Sequence, residues 1–159
     1  MTMAKTTRAT QAAAAARVAY TVHSYDYDPE APAIGLQAAE GLGVTPAEVL
    51  KTLMTLVDGK PVCVLLASDR EVNMKKLASA MGGKSAQMMK PADAERATGY
   101  VVGGISPFGQ KKPAPVMVDA PALEQAMVFV NGGQRGLQIR LAPKDLVAAL
   151  KAKTADLSA

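Results

Sequence analysis

The sequence predicts a single α/β domain over residues 1–159, built on a mixed, curled and barrel-like β-sheet with surrounding helices. Three observations lead to this fold class. Short apolar runs alternate with helical segments, predicted strands outnumber helices, and no regular βαβ repeat is visible. A doubly wound nucleotide-binding fold is therefore disfavoured. Hydrophobic residues make up 49 % of the chain and no linker-like break interrupts it, so we expect only residues 1–6 to be flexible.

The first elements are predicted from periodicity and from helix-end signals. A helix at residues 7–19 precedes a short alternating strand at residues 20–25. A second helix, at residues 36–42, ends at Gly43. Residues 45–48 (Thr-Pro-Ala-Glu) form a capping box with proline at the first helical position, so a short helix begins there.

The clearest element is a β-hairpin in the middle of the chain. Two runs rich in β-formers, residues 50–57 and 61–67, are joined across Asp58-Gly59. An Asp-Gly pair suits the positive φ angles of a type I′ turn, which matches the twist of the two strands. We therefore expect antiparallel pairing of these strands.

The rest of the chain continues the alternation. Asn73 can cap a helix that runs to residue 81, with Gly82 as its C-terminal stop. The remaining predicted elements are a strand at 86–89, a helix at 92–97, a glycine-rich loop at 103–109, strands at 116–119 and 127–130, a turn at 131–136, a strand at 137–141 and a helix at 143–152.

Composition and charge narrow the function. No apolar run reaches the roughly 20 residues of a membrane span, and a single cysteine suits a reducing compartment, so a cytoplasmic location without membrane attachment is expected. Residues 18–50 contain five acids and no Lys or Arg, whereas residues 51–159 contain 15 Lys and Arg against 9 acids. This asymmetry suits one face turned toward a polyanion, although a solvated basic surface would give the same pattern.

Several common kinds of catalytic site are excluded by residue content. One His and one Cys cannot supply a paired metal site, and neither a phosphate-binding loop nor a dinucleotide fingerprint occurs, so no metal and no cofactor are expected. His23 lies in an alternating strand and Cys63 in an apolar one, which favours structural roles for both. Ser106 lacks nucleophile-elbow spacing because Phe108 stands where Gly is required. An enzyme with this sequence would rely on positioning, on backbone dipoles and on groups of the substrate.

Two segments point to a site. Lys51 interrupts an apolar strand, where a lysine is costly unless it reaches a cleft or a partner; a lysine extending to solvent from the strand end is the alternative. The second segment, residues 98–112, is rich in glycine and ends in Lys111 and Lys112. Its free N–H groups could bind an oxyanion or a phosphate, whereas the alternative is a flexible surface loop.

Three motifs together identify a family. Val49-Leu50-Lys51-Thr52-Leu53, the glycine-rich segment with Gly-Gly-Ile-Ser-Pro-Phe-Gly-Gln-Lys-Lys, and Asn131-Gly132-Gly133-Gln134-Arg135-Gly136-Leu137 occur in family-like order and spacing. They resemble the YbaK/prolyl-tRNA-synthetase-associated editing domain, and specifically its YbaK branch of Cys-tRNA(Pro) deacylases. The resemblance extends over residues 18–150.

The resemblance implies a free-standing deacylase of mischarged tRNA(Pro), principally the cysteinyl form, that works with prolyl-tRNA synthetase. It implies catalytic roles for Lys51 and for Gly103 in the loop. The cysteinyl thiol of the substrate would be the nucleophile and would displace tRNA through a cyclic thioester. The residues expected to bind substrate are Tyr25, Ile34, Thr52, Gly104, Ile105, Ser106, Pro107 and Gln138.

The chain departs from the family pattern at three positions. Ile34 stands where an aromatic residue is frequent, Gln138 where an acid is frequent, and Tyr27 where a His is common. If Ile34 and Gln138 line the amino-acid pocket, selectivity could move from cysteine to another small residue. Two alternatives therefore stay open: a deacylase of Ala-tRNA, Ser-tRNA or another misacylated tRNA, and a catalytically silent module that binds tRNA or a synthetase.

Overall fold

A computed structural model describes residues 6–30 and 34–159, including the backbone but not the side chains of Ile34 and Gly35. Two of its helices begin at side-chain caps: Thr7 Oγ1 accepts a hydrogen bond from the Thr10 amide, and Asn73 Oδ1 accepts from the amides of Lys75 and Lys76. The described α-helices are α1 (Arg8–Ala15), α2 (Ile34–Leu42), α3 (Met74–Ala80), α4 (Pro91–Thr98) and α5 (Pro143–Leu150). Two 3₁₀ helices lie at Pro46–Glu48 and Ala120–Glu124.

The strands form two sheets. They are β1 (Tyr20–Ser24), β2 (Leu50–Val57), β3 (Lys60–Ala67), β4 (Ala86–Met88), β5 (Val116–Asp119), β6 (Val128–Asn131), β7 (Leu137–Leu141) and β8 (Lys153–Ala155). One sheet is antiparallel with the order β1-β7-β6, and the other is mixed with the order β4-β2-β3-β5-β8. In the mixed sheet β3, β5 and β8 run parallel, whereas β2 pairs antiparallel with both β3 and β4.

Strand β2 brings the two sheets together. Its second half pairs with β4, while Val49, just before its first residue, makes an isolated parallel bridge with Phe129 of β6. The combined surface therefore turns at the beginning of β2, close to Lys51. Neither sheet closes on itself within the described residues, so the predicted mixed α/β fold is confirmed and its barrel-like character is not.

The hairpin prediction is confirmed in detail. Asp58 and Gly59 have φ angles of 49° and 81°, as a type I′ turn requires, and Leu50 pairs with Ala67 at the far end of the ladder. Side chains alternate across β2: Leu50 and Met54 pack into the main core, and Leu53 and Val57 pack into a second cluster with α3. Lys51 lies on the Leu53 face, as the period of two predicts.

Two predicted helices were too long, and one strand was not predicted. Helix α1 ends at Ala15 rather than at residue 19, because Arg17 takes a left-handed φ of 59° that turns the chain into β1. Helix α5 ends at Leu150 rather than at residue 152, because Lys151 takes a left-handed φ of 52°. Strand β8 was not predicted. It pairs with β5 and leads to the buried Leu157, so tertiary contacts rather than a local pattern stabilise it.

The predicted flexible segment, residues 1–6, falls outside the described residues except for Thr6. None of the helices in the described ranges has the length and the apolar character needed to cross a bilayer.

Candidate active site

A cavity of about 520 Å³ lies where the beginning of β2 meets β6, β7 and the glycine-rich loop. This is within the roughly 300–1,000 Å³ of ordinary ligand pockets. It gathers five predicted site residues: Lys51, Thr52, Gly103, Ile105 and Gln138. A second cavity, of about 580 Å³, lies beside the turn of the β2–β3 hairpin and contains none of the predicted site residues. The first cavity is therefore the candidate active site.

Lys51 supplies the cationic group of this cavity. Its side chain is 20 % exposed, and its Nζ lies 3.3 Å from Oε1 of Glu71, whose side chain is 83 % exposed. Because Glu71 is mostly in water, the ion pair is weak and can exchange partners at little cost. The Lys51 ammonium is thus held at the cavity and remains available to a ligand oxygen.

The glycine-rich loop supplies backbone donors. Gly103 has a φ of 90°, a region that favours glycine, and its N–H has no acceptor within the described residues. The next amide is engaged, since Gly104 N–H donates to the Val101 carbonyl at 2.8 Å. Of these two amides, only that of Gly103 is free to bind a ligand oxygen.

The turn between β6 and β7 packs directly against this loop. Asn131 Nδ2 donates to the Gly103 carbonyl at 3.1 Å, and Asn131 Oδ1 accepts from Gly133 N–H at 2.7 Å. Gly104 has no room for a side chain, because a Cβ there would lie 3.0 Å from Gln134 Cα. The second and third sequence motifs therefore form one packed unit at the cavity wall.

Unpaired polar atoms mark the same region. Within the described residues, Thr52 Oγ1 and Gln138 Oε1 are buried side-chain oxygens without a hydrogen-bond partner, and both residues line the cavity. Buried polar atoms are nearly always hydrogen-bonded, so these two oxygens are open to a ligand or to water in the cavity. Gln138 is only 4 % exposed, and Tyr25 packs against Val49, itself a cavity residue.

Other predicted residues have different positions. Ser106 is fully buried, and its Oγ accepts from Phe108 N–H, while Pro107 borders a different cavity beside α1 and α5. Gly104 and Tyr25 lie behind the cavity wall rather than among its lining residues. The side chain of Ile34 lies outside the described part of the structure. Their roles in substrate binding stay predictions.

Sequence reasoning missed several lining residues, among them Glu71 and Asn131. Glu71 has no motif around it and reaches Lys51 only because residues 68–72 pass beside β2. Asn131 was quoted within a motif but not selected as a site residue. An Asn directly before Gly-Gly is a signal that could have identified it, because this side chain can hydrogen-bond backbone within a turn.

The single cysteine and the single histidine of the sequence do not line the candidate active site. Cys63 is fully buried, as predicted, and burial raises the pKa of its thiol to about 12, which favours an inert role. His23 stacks edge-on against Phe129 at 5.4 Å, and burial, together with the nearby Arg140, lowers its pKa. Neither residue lines the cavity.

Comparison with known proteins identifies the family. The sequence model of the aminoacyl-tRNA editing domain matches residues 28–149, which include every residue that lines the cavity. The chain belongs to the aminoacyl-tRNA editing domain family. Family membership confirms the resemblance found in the three motifs, and it makes the chain a hydrolase that removes amino acids from misacylated tRNA.

Relatives of this editing domain include free-standing proteins and synthetases. EbsC of Enterococcus faecalis, provisionally assigned as a Cys-tRNA(Pro)/Cys-tRNA(Cys) deacylase, is 36 % identical over 121 residues, which cover 76 % of this chain and 74 % of EbsC. Proline–tRNA ligase of Acidithiobacillus ferrooxidans is 37 % identical over 87 residues, which cover 55 % of this chain and 15 % of the ligase.

A solved structure supports the fold. The crystal structure of a protein provisionally assigned as a trans-editing enzyme for prolyl tRNA synthetase has a TM-score of 0.82 to this editing domain, with 22 % identity. The similarity covers 96 % of this chain and 95 % of the other.

Proposed function

We propose that the chain is a free-standing deacylase of Cys-tRNA(Pro) in which the substrate's own thiol is the nucleophile. The observation that carries this proposal is a cavity that combines Lys51, the free Gly103 N–H and unpaired buried oxygens without Cys63 or His23. A site with oxyanion donors but no nucleophile–base pair among its described residues suits a substrate that brings its own nucleophile. The provisional assignment of EbsC supports the same substrate.

In this mechanism Lys51 and Gly103 hold the ester carbonyl oxygen as it gains negative charge. The cysteinyl sulfur bonds to the carbonyl carbon, the bond from that carbon to the ribose oxygen breaks, and the thiol proton passes to the ribose oxygen. The products are free tRNA and a cyclic thioester, which water then opens to cysteine. Thr52 and Gln138 would contact the amino acid or the terminal ribose through their unpaired oxygens.

The magnitudes are sufficient. A single oxyanion donor contributes about 10²–10³-fold in rate, and two are available in Lys51 and Gly103. A thiol held next to its own carbonyl gains further from proximity. An aminoacyl ester is already an activated bond, so no stronger catalytic group is needed.

A second substrate is suggested by Gln138. This side chain is neutral and buried, whereas the family that the sequence resembles frequently has an acid at this position. A neutral amide suits a small uncharged side chain such as that of alanine or serine as well as that of cysteine. Deacylation of Ala-tRNA or Ser-tRNA is therefore the alternative reaction.

Three substrates on the same tRNA separate these proposals. The amino acid of Cys-tRNA(Pro) has a thiol, that of Ser-tRNA(Pro) has a hydroxyl in the same position, and that of Ala-tRNA(Pro) has neither group. With the substrate thiol as nucleophile, the cysteinyl ester should be hydrolysed at least about tenfold faster than the other two. A difference of about 1.4 kcal/mol in activation free energy already gives this factor. Methylation of the cysteinyl sulfur should abolish turnover. Comparable rates on all three esters would contradict the thiol mechanism and favour the alternative substrates.

The catalytically silent binding module that the sequence left open is not supported, because members of the editing-domain family are hydrolases of misacylated tRNA.

We also propose that the chain, as one domain over residues 1–159 in the cytoplasm, takes its tRNA specificity from prolyl-tRNA synthetase. Similarity to a segment of proline–tRNA ligase and the basic excess after residue 50 support a place beside a tRNA-binding enzyme. A complex would supply selectivity through high effective concentration. Adding the synthetase should increase the ratio of hydrolysis rates on Cys-tRNA(Pro) and Cys-tRNA(Cys). No change in this ratio at saturating synthetase would contradict the proposal.

A further inference from the structure

Arg135, which lies outside the cavity, contacts the peptide group that carries the Gly103 amide. Arg135 Nε and Nη2 both donate to the Val102 carbonyl, at 3.0 and 2.8 Å. Two donors from one planar guanidinium on one oxygen define both the position and the direction of that carbonyl better than a single bond could.

The Val102 carbonyl and the Gly103 N–H belong to the same peptide group. This group is planar and trans, so its C=O and N–H point in opposite directions. A guanidinium that holds the carbonyl on one side therefore directs the N–H to the other side. Val102 and Gly103 line the cavity and Arg135 does not, which favours a Gly103 N–H directed toward the cavity.

Arg135 is exposed, and two further features favour its observed position. Its guanidinium carbon lies 5.5 Å from the ring centroid of Tyr27, a cation–π contact. Its backbone belongs to the tight turn in which Leu137 N–H donates to the Gln134 carbonyl and Gly132 N–H donates to the Leu137 carbonyl. The absence of a side chain at Gly104 lets this turn approach the loop closely.

We propose that Arg135 is a positioning residue for the oxyanion donor: through the Val102 carbonyl it orients the Gly103 N–H into the cavity. Arg135 touches neither the substrate ester nor Lys51 in this arrangement. Asn131 complements it from the other side of Gly103, since Asn131 Nδ2 holds the Gly103 carbonyl. This inference rests on the proposed deacylase function, but its structural part can be tested without activity.

The chain offers a matched control in Arg8. Arg8 Nη2 donates to the Gly109 carbonyl at 3.0 Å, and its guanidinium carbon lies 5.7 Å from the Tyr100 ring centroid. It therefore makes the same two kinds of contact as Arg135, and the loop carbonyl that it holds lies seven residues further along the chain. Only Arg135 holds the peptide that carries the candidate oxyanion donor.

The experiment compares Arg135→Ala, Arg135→Lys and Arg8→Ala by kinetics and by melting temperature. We expect Arg135→Ala to lower kcat about tenfold with KM changed less than about twofold, because the donor matters most in the transition state. Arg135→Lys should recover only part of the loss, since lysine is a single point donor. Added methylguanidinium should partly restore kcat to Arg135→Ala. Arg8→Ala should keep kcat within about twofold of wild type.

A second measurement does not depend on turnover. In amide NMR spectra, Arg135→Ala should shift and broaden the Gly103 resonance, whereas Arg8→Ala should affect residues near Gly109 and leave Gly103 unchanged. An unchanged Gly103 resonance in Arg135→Ala would overturn the inference, and so would an equal loss of kcat in the two alanine variants. A raised KM with unchanged kcat would also overturn it, because Arg135 would then be a tRNA contact. If the wild type hydrolyses no misacylated tRNA, the proposed function fails while the NMR result still decides the role of Arg135.

Discussion

Replacement of Lys51 by methionine separates catalysis from folding at the candidate site. Methionine keeps most of the aliphatic length of lysine and removes its charge. The charge contributes little to stability, because its partner Glu71 is 83 % exposed and such ion pairs contribute about 0–1 kcal/mol. For a domain of this size, 1 kcal/mol corresponds to a shift of roughly 2–4 °C in Tm. The variant should therefore melt within about 4 °C of wild type.

Activity should respond far more strongly than stability. Loss of one oxyanion donor lowers kcat by about 10²–10³, which is equivalent to about 2.7–4 kcal/mol of transition-state stabilisation. The assay is release of labelled cysteine from Cys-tRNA(Pro) under single-turnover conditions, together with a thermal melt of each protein. Lys60→Met is the control, because Lys60 is an exposed lysine at the other end of the same hairpin. A Lys51→Met variant that melts normally and keeps more than about one third of wild-type kcat would refute the catalytic role of Lys51.

Other predictions concern the loop glycine, the buried thiol and the histidine. Gly103→Ala should lose at least about tenfold in kcat and about 1–2 kcal/mol in the free energy of unfolding, because Gly103 has a φ of 90°. Gly43→Ala is its control: Gly43 has a φ of 71° and open space around it, so this variant should show similar strain and normal kcat. Cys63 should resist thiol reagents in the folded protein and react once denatured, because a pKa of about 12 leaves roughly 10⁻⁴ of the thiol ionised at pH 8. Rapid labelling without denaturant would contradict this. The lowered pKa of His23 means that the unfolded chain binds a proton more readily, so this residue's contribution to stability is present above about pH 6.5 and is lost as pH falls. Urea titrations at pH 7.5 and 5.0 should therefore show a larger acid loss for wild type than for His23→Gln, and equal losses would refute the assignment.

Local sequence signals predicted the fold well where the structure depends on local chemistry. The Asp58-Gly59 turn, the cap at Asn73 and the stop at Gly43 each need particular residues in particular backbone conformations, and such needs are visible in a sequence. Prediction failed where a distant contact decides. Strand β8 contains two exposed residues and little pattern, and it exists because β5 offers a free edge and Leu157 finds a buried position beyond it.

In the candidate site too, residues with a local sequence signal could be predicted and residues that depend on a distant contact could not. Lys51 and the glycine-rich loop were visible in the sequence, because a lysine in an apolar strand and clustered glycines each conflict with ordinary packing and so indicate another role, whereas Gly103 itself was selected through the family resemblance. Glu71 was not, because an exposed acid in a loop conflicts with nothing and becomes relevant only through its 3.3 Å contact with Lys51. The sequence does not show which way the side chain of Ser106 points in the loop. Ser106 is fully buried against its own loop, whereas its neighbour Ile105 lines the cavity.

The chemistry of the cavity explains why its specificity is harder to read than its reaction. Stabilising a carbonyl oxygen needs only a cation and an amide in fixed positions, and the side chains of Asn131 and Arg135, which donate to carbonyls of the glycine-rich loop, would provide that rigidity for any amino acid attached to the tRNA. Selection among small side chains depends instead on the shape and polarity of the wall, where one methylene or hydroxyl changes affinity by only about 1–3 kcal/mol. If the substrate thiol is the nucleophile, however, cysteine is selected by reactivity as well as by fit. A neutral wall residue such as Gln138 then need not reject serine or alanine, since esters without a thiol would bind and remain uncleaved.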